Sequence, residues 1–241
     1  MNNSATGFPE SLNAACSTID SIGKNKAEVV GSYIRKINPE ITIEIFDQGV
    51  NENNVGDFVS GSNLLIDETD FTRPDIGAML ARTARSENIP NLLAMNLGFG
   101  ATVTSFSPSS RTFESIMGLS EGQPLDEIRE KGVELKRWLS YIPPYGDISV
   151  LKKVQNEGKP APTLVAGVAM AAAIANTQSF LHIVSDVKNH RPKPVYAPKT
   201  IMIDAMTGKS DIIKSSQYSY YKHLFKLIAR NIISINPKAS Y

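Results

Sequence analysis

The sequence predicts an α/β fold, a mostly parallel sheet with helices on both faces, followed by an irregular, loop-rich C-terminal half. Three observations support this. Extended and helical patterns alternate from Lys24 to Phe106 in the order that builds doubly wound sheets. The run Leu64-Leu65-Ile66 is short and wholly apolar, as in a strand covered on both faces. The intervening helices carry apolar residues on one side only, as helices laid against a sheet do.

Taken in order, residues 1–23 show neither period and read as an irregular segment. From Lys24 to Ile37, Ala27, Val30, Ile34 and Ile37 share one helical face, and Asn38-Pro39 ends the helix because proline disfavours helical geometry before it. Ile41-Thr-Ile-Glu-Ile-Phe46 alternates apolar and polar residues and reads as a strand. A short helix is expected over Asn51–Val59 with Asn51 as its cap, and a strand over Asn63–Asp67. Thr72 to Arg85 forms a second amphipathic helix with Thr72 as candidate cap, and Leu92–Met95 and Ala101–Phe106 are the next strands. Gly98-Phe99-Gly100 between them reads as a tight turn, since a strand pattern and no helix follows.

The segment from Ser107 to Lys159 is rich in proline and glycine, with one helix around Leu125–Leu139. Thr163–Leu181 is so apolar that it is expected to pack on several sides, and the Met and Ala stripe of residues 169–173 reads as core. Lys199–Ala205 is a strand, Thr207-Gly208 a turn, and Ile212-Ile213 its hairpin partner. A last helix covers Gln217 to Ile232. No repeat or low-complexity linker interrupts the chain, so 24–241 reads as one domain, with 24–106 its parallel-sheet part and 107–241 its loop-rich part.

Composition narrows the function. Hydrophobic residues make up 41% of the 241 positions, enough for a core. Twenty-five basic residues face 24 acidic ones, which excludes the basic footprint of a dedicated nucleic-acid binder. The single cysteine, Cys16, excludes an internal disulfide and a Cys-x-x-Cys zinc site, and suits a reducing compartment. Met1–Pro9 lacks the pattern of a signal peptide, and the most apolar stretch, Leu164–Ala175, is about half a membrane span. A soluble, cytoplasmic protein with no membrane partner is expected. The three histidines, His182, His190 and His223, lack metal-site spacing.

An ordered series of segments resembles the ThiF/MoeB family of ubiquitin-activating-like adenylyltransferases. Lys24-Asn-Lys26-Ala-Glu-Val-Val, then Ile37-Asn38-Pro39-Glu40-Ile41, match the family's lysine-bearing helix running through Ile-Asn-Pro into a strand. Leu64-Leu-Ile-Asp67-Glu-Thr69-Asp70 resembles its Asp-x-Thr-Asp-Asn strand end. Ile89-Pro90 with Leu93-Ala94-Met95-Asn96, and Gly100-Ala-Thr-Val-Thr-Ser-Phe106, resemble the next two strands. Pro162–Ile174 and Met202-Ile-Asp204-Ala-Met-Thr-Gly208 resemble a late crossover helix and the strand after it. The resemblance spans about residues 24–213 and implies a Rossmann-like fold.

The resemblance also implies chemistry on a carboxyl terminus. Such proteins bind ATP and Mg2+, and the C-terminal carboxylate of a ubiquitin-like or other small partner protein attacks the α-phosphorus, giving an acyl-adenylate and pyrophosphate. By position, Lys26 matches the phosphate-contacting lysine and Asp70 the magnesium-associated catalytic aspartate. On the residues alone, Lys26 reads as a solvated charge, and Asp67, Glu68, Asp70 and Asp75 as an acidic cluster of caps and turns.

The sequence also departs from the family. Its N-terminal strand–helix unit with Gly-x-Gly-x-x-Gly, which cradles phosphates at a helix N-terminus, has no match ahead of Lys24. The acidic residue that contacts the ribose is missing. Asn13-Ala14 stands where an Arg-Gln pair is expected, and Phe71 where Asn follows the aspartate. Two accounts remain open: a piece of a longer product, or a non-catalytic scaffold that kept the fold. The absent unit would leave a sheet edge unpaired, so a homo-oligomer, most simply a homodimer, is expected.

Overall fold

The computed structural model describes residues 18–157, 164–184 and 192–235. Cys16, His190 and the starts of the expected helices at Pro162 and Thr163 lie outside them. The chain divides into two compact units, residues 1–54 and 55–241.

In the N-terminal unit, a 3-10 turn at Ile19–Ser21 precedes helix α1, Lys26–Ile37. Asn25 caps α1: its side-chain oxygen accepts from the N–H groups of Ala27 at 2.8 Å and Glu28 at 3.4 Å. The strand expected over Ile41–Phe46 does not form. The segment lies against α1 instead, and a Cβ added at Gly31 would come within 2.9 Å of Ile45 Cδ1. Alternation specifies an extended backbone, but a strand also needs a ladder partner, and none lies beside this segment among the described residues. Asn51 does not cap a helix either. Its Oδ1 accepts from Asn53 N at 2.9 Å, within a turn that Asn54 closes by accepting from Asn51 N at 2.7 Å.

The C-terminal unit contains helices α2 (Val55–Val59), α3 (Pro74–Ser86), α4 (Phe113–Met117), α5 (Leu125–Lys131), α6 (Leu135–Trp138), α7 (Ile148–Glu157), α8 (Val165–Ile183) and α9 (Gln217–Ile235). Its sheet has strands β1 (Leu65–Asp67), β2 (Asn91–Leu97), β3 (Gly100–Phe106), β4 (Lys199–Asp204) and β5 (Lys209–Lys214), paired in that order. The α/β class holds, but among the described residues the one parallel strand pair is β1–β2, joined by the α3 crossover, beside a single parallel bridge between Ser105 and Tyr196. The β2–β3, β3–β4 and β4–β5 pairs are antiparallel. The reason is local. Leu97 pairs with Gly100 across the Gly98-Phe99 turn, and so short a link permits only an antiparallel neighbour.

Successive residues of β2 point to opposite faces, and both faces are covered. Leu93 joins Phe106 in a core with Ala78 and Ala81 of α3, Phe113, Ile116, Ile128 and Trp138. Ala94 joins Ala101 and Val103 beneath Ala171, Ile174 and Ala175 of α8. Helix α8 therefore buries one side only. Its Ala169, Ala172 and Ala173 are exposed, against the expected packing on several sides and the reading of 169–173 as core, because alanine makes a helix read as apolar without requiring cover. The single helix expected over Leu125–Leu139 is broken into α5 and α6 at Gly132, whose φ of +64° no helix continues through. Helix α3 starts at Pro74, a preferred first helical residue, one turn position later than the expected Thr72 cap.

Candidate functional site

The site forms at the carboxyl end of β1, where open α/β sheets place their ligands. Three residues of strand end in Asp67, which is 1% exposed. Its Oδ1 accepts from Thr69 N at 2.9 Å and Thr69 Oγ1 at 2.7 Å, while Oδ2 has no partner. Burial pushes this carboxyl above its ordinary range, and the two bonds from Thr69 offset only part of that.

Asp70 follows on the exposed loop. Its Oδ1 accepts from Thr72 N at 2.8 Å, and its carbonyl from Arg73 N at 2.9 Å. The loop is thus fixed from within, and the carboxylate stays open to solvent. Next comes a network that the sequence did not disclose. Asp75, 1% exposed in the first turn of α3, accepts from Arg73 Nε at 3.0 Å and Nη2 at 2.8 Å. Arg129 of α5 adds Nε at 2.9 Å and Nη2 at 2.9 Å. Burial pushes the Asp75 carboxyl up, but the bonds from Arg73 and Arg129 outweigh it and hold the group below the usual carboxylate range.

Lys26 is exposed at the first position of α1, in the N-terminal unit, whereas Asp70 belongs to the C-terminal unit. A cation at a helix N-terminus opposes the helix dipole. Lys26 at a helix N-terminus and the buried, unpartnered Oδ2 of Asp67 each run against local stability preferences.

A second polar cluster, where β3 begins and β4 ends, was also not legible in the sequence. Asp204, fully buried, accepts at Oδ2 from the hydroxyls of Tyr141 at 2.7 Å and Tyr145 at 3.0 Å, and at Oδ1 from Thr207 N at 2.9 Å. Tyr145 Oη in turn accepts from Phe99 N at 2.9 Å, so one carboxylate ties both hairpin turns to the 141–145 loop. Burial, with Asp204 adding to it against the Phe99 bond, pushes the Tyr145 hydroxyl up to about 12. With every oxygen committed, this cluster is a fastening of the fold.

Magnesium asks for one or two carboxylates, with water and phosphate oxygens completing its shell, and the open Asp70 beside Asp67 is of that kind. Among the described residues no group of three or more His, Cys, Asp or Glu converges on a metal position. Phosphate contacts from this unit fit less well, because Arg73 and Arg129 are already engaged by Asp75. In the N-terminal unit, taken by itself, Asn25 occupies two N–H groups at the start of α1.

The ThiF family model matches residues 9–220, most of the sequence. The chain belongs to the ThiF family. This ThiF-family chain is 39% identical to the tRNA threonylcarbamoyladenosine dehydratase of Escherichia coli (strain K12) over 72 residues, 30% of the chain and 26% of that protein. It is 27% identical to the SAMP-activating enzyme E1 of Haloferax volcanii over 99 residues, 40% of the chain and 35% of that enzyme. The chain thus spans about a third or less of the curated relatives' length. Among solved structures it is similar to E. coli MccB with ATP, at a TM-score of 0.55 and 18% identity, covering 84% of this chain and 52% of MccB. MccB has also been solved with MccA-N7isoASN. Likeness at that identity establishes a shared fold. Among the described residues no helix is long and apolar enough to cross a membrane.

Proposed function

We propose that this ThiF-family chain carries the metal-facing side of an adenylyltransferase site acting on the C-terminal carboxylate of a ubiquitin-like or other small protein. In this reading Asp70 holds the Mg2+ that accompanies ATP, Lys26 meets a phosphate, and Asp67 supports the strand end. The cation's contribution is to neutralise charge that spreads over phosphate oxygens as the carboxylate attacks. The observation that carries the proposal is the open carboxylate of Asp70, pinned through Thr72 N at 2.8 Å just past a strand's carboxyl end. The SAMP-activating relative, and MccB with its ATP and MccA complexes, lend the substrate classes.

A second reading has its own support. Arg73 and Arg129 are both bound to Asp75, Phe71 replaces the family's asparagine, and the 241 residues contain no Gly-x-Gly-x-x-Gly. A non-catalytic scaffold that holds a small protein without turnover would look like this. Isotope exchange between pyrophosphate and ATP separates the two. Exchange that requires a protein or peptide with a free C-terminal carboxylate, and that Asp70→Ala removes, supports the enzyme. Specific binding of such a partner with no exchange above the Asp70→Ala background supports the scaffold.

A further inference from the structure

Charge is spread unevenly along the chain. After Asp211 the sequence holds five of its 25 basic residues and none of its 24 acidic ones, which leaves 20 basic against 24 acidic residues up to Asp211. Helix α9 carries three of the five. Its inner side is fixed to the fold. Tyr220 and Leu227 are buried in the core with Leu224 packed against it, and the buried His223 stands edge-on to Tyr141 at 5.0 Å. Its outer side presents Tyr218, Tyr221 and Phe225, exposed at 77%, 42% and 68%. Intervals of three and four set these rings in one line along the helix, and Lys222 and Lys226, each following a ring in sequence, border that line on one side. Both lysines are exposed, and among the described residues neither forms an ion pair.

We propose that this face of α9 docks on the surface of a bilayer that contains anionic phospholipid. Charge complementarity is the first argument: a cationic segment without a single carboxylate meets a negative surface with no like charge to repel it. The second is the line of rings. Tyrosine and phenylalanine bury an apolar body at headgroup depth, tyrosine keeping its hydroxyl wet, while lysines beside them lay down their stems and leave the ammonium among the phosphates. The third is shape and balance. A flat surface can touch the outer side of one helix and nothing else. A polynucleotide held by stacking needs a basic groove to follow, and here it would run from a convex helix onto a remainder that is acidic overall. Because the inner side of α9 is already packed, docking need not fold the helix first. The ThiF match ends at residue 220, so Tyr221, Lys222, Phe225 and Lys226 lie past it. The proposal is independent of what Asp70 binds. It replaces the expectation of no membrane partner, which rests on hydropathy and therefore sees spanning segments only.

Vesicle flotation with the purified chain tests it, comparing phosphatidylcholine alone with phosphatidylcholine containing about one third phosphatidylserine. The chain is expected to float with the anionic vesicles, to stay behind with the neutral ones, and to be released as NaCl rises from about 0.1 to 0.5 M. Lys222→Gln with Lys226→Gln is expected to weaken binding about 25-fold, roughly fivefold for each lysine. Phe225→Ser, which leaves the charge unchanged, is expected to weaken it about tenfold. Circular dichroism spectra should match the wild type, since all three side chains are exposed. No flotation with anionic vesicles, equal flotation with neutral ones, or a double lysine variant that floats like the wild type would overturn the proposal. So would retention of single-stranded oligouridylate in place of vesicles, lost in the double variant, which would give the face to nucleic acid.

Discussion

Asp75 and Arg129 stand 54 positions apart and on different helices, yet Arg129 Nε donates to Asp75 Oδ2 at 2.9 Å. The contact joins the first turn of α3 to α5 right behind the loop that carries Asp70. Arg73 completes it from the other side, so the loop rests on one buried carboxylate held by two cations.

Removing that carboxylate leaves both guanidiniums without their acceptor. They are partly solvated, which tempers the cost, and Asp75→Asn is expected to destabilise the chain by about 2 kcal/mol in urea unfolding. The folded group titrates below its unfolded value of about 4. The unfolded chain therefore binds the proton first, and the contribution is present above pH 4 and lost as pH falls through the folded value. A wild-type stability that drops no faster below pH 4 than that of Asp75→Asn would contradict this.

Asp67 should behave in the opposite sense. Its folded value is raised, so between about pH 4 and that value the folded chain holds the extra proton, and stability falls as pH rises. Asp67→Asn keeps an acceptor for Thr69 and removes the desolvated charge. The variant is expected to be more stable than wild type at pH 7, by up to about 1 kcal/mol, and to lose the slope. A clear loss of stability at pH 7 would show that the carboxylate is stabilising where it sits.

Tyr145→Phe removes a donor to Asp204 and leaves the Phe99 N–H without its acceptor. A loss of about 1–2 kcal/mol is expected, with faster hydrogen exchange at Phe99. Asp204→Ala, which breaks both tyrosine bonds and the one from Thr207 N, is expected to cost more than Tyr145→Phe.

Helix α8 crosses the β2–β3 hairpin at Gly167, where an added Cβ would sit 2.4 Å from Gly98 O and 3.0 Å from Gly100 O. Both obstacles are backbone, so Gly167→Ala must lift the helix and is expected to cost about 2 kcal/mol or more in thermal unfolding. Gly56→Ala in α2, with nothing within 4 Å, is the control and is expected to be neutral or slightly stabilising.

These residues show what the sequence could and could not tell. Local periodicity placed α1, α3, α9, the β1 and β2 strands and the β4–β5 hairpin, because each follows from residues near one another in the chain. Gly98-Phe99-Gly100 was legible as a turn, yet its consequence, an antiparallel neighbour, was missed when the strands were assigned to a parallel sheet. Ile41–Phe46 alternates as a strand does, yet no strand forms there, because pairing depends on a distant partner that alternation cannot supply. In the site, position marked Asp70 at a strand end. Asp75 reads as a helix-start residue, and only the packing of Ile128 into the core brings Arg129 onto it. Asp67's orphan oxygen is a matter of burial, which no spacing encodes.

The central claim is that Asp70 anchors a metal–nucleotide complex, and calorimetric titration of ATP with Mg2+ into the purified chain tests it most directly. The account expects saturable binding that Asp70→Ala abolishes, that falls away when magnesium is withheld, and that Lys26→Ala weakens. Binding unaffected by Asp70→Ala, or no heat at millimolar ATP, would contradict it.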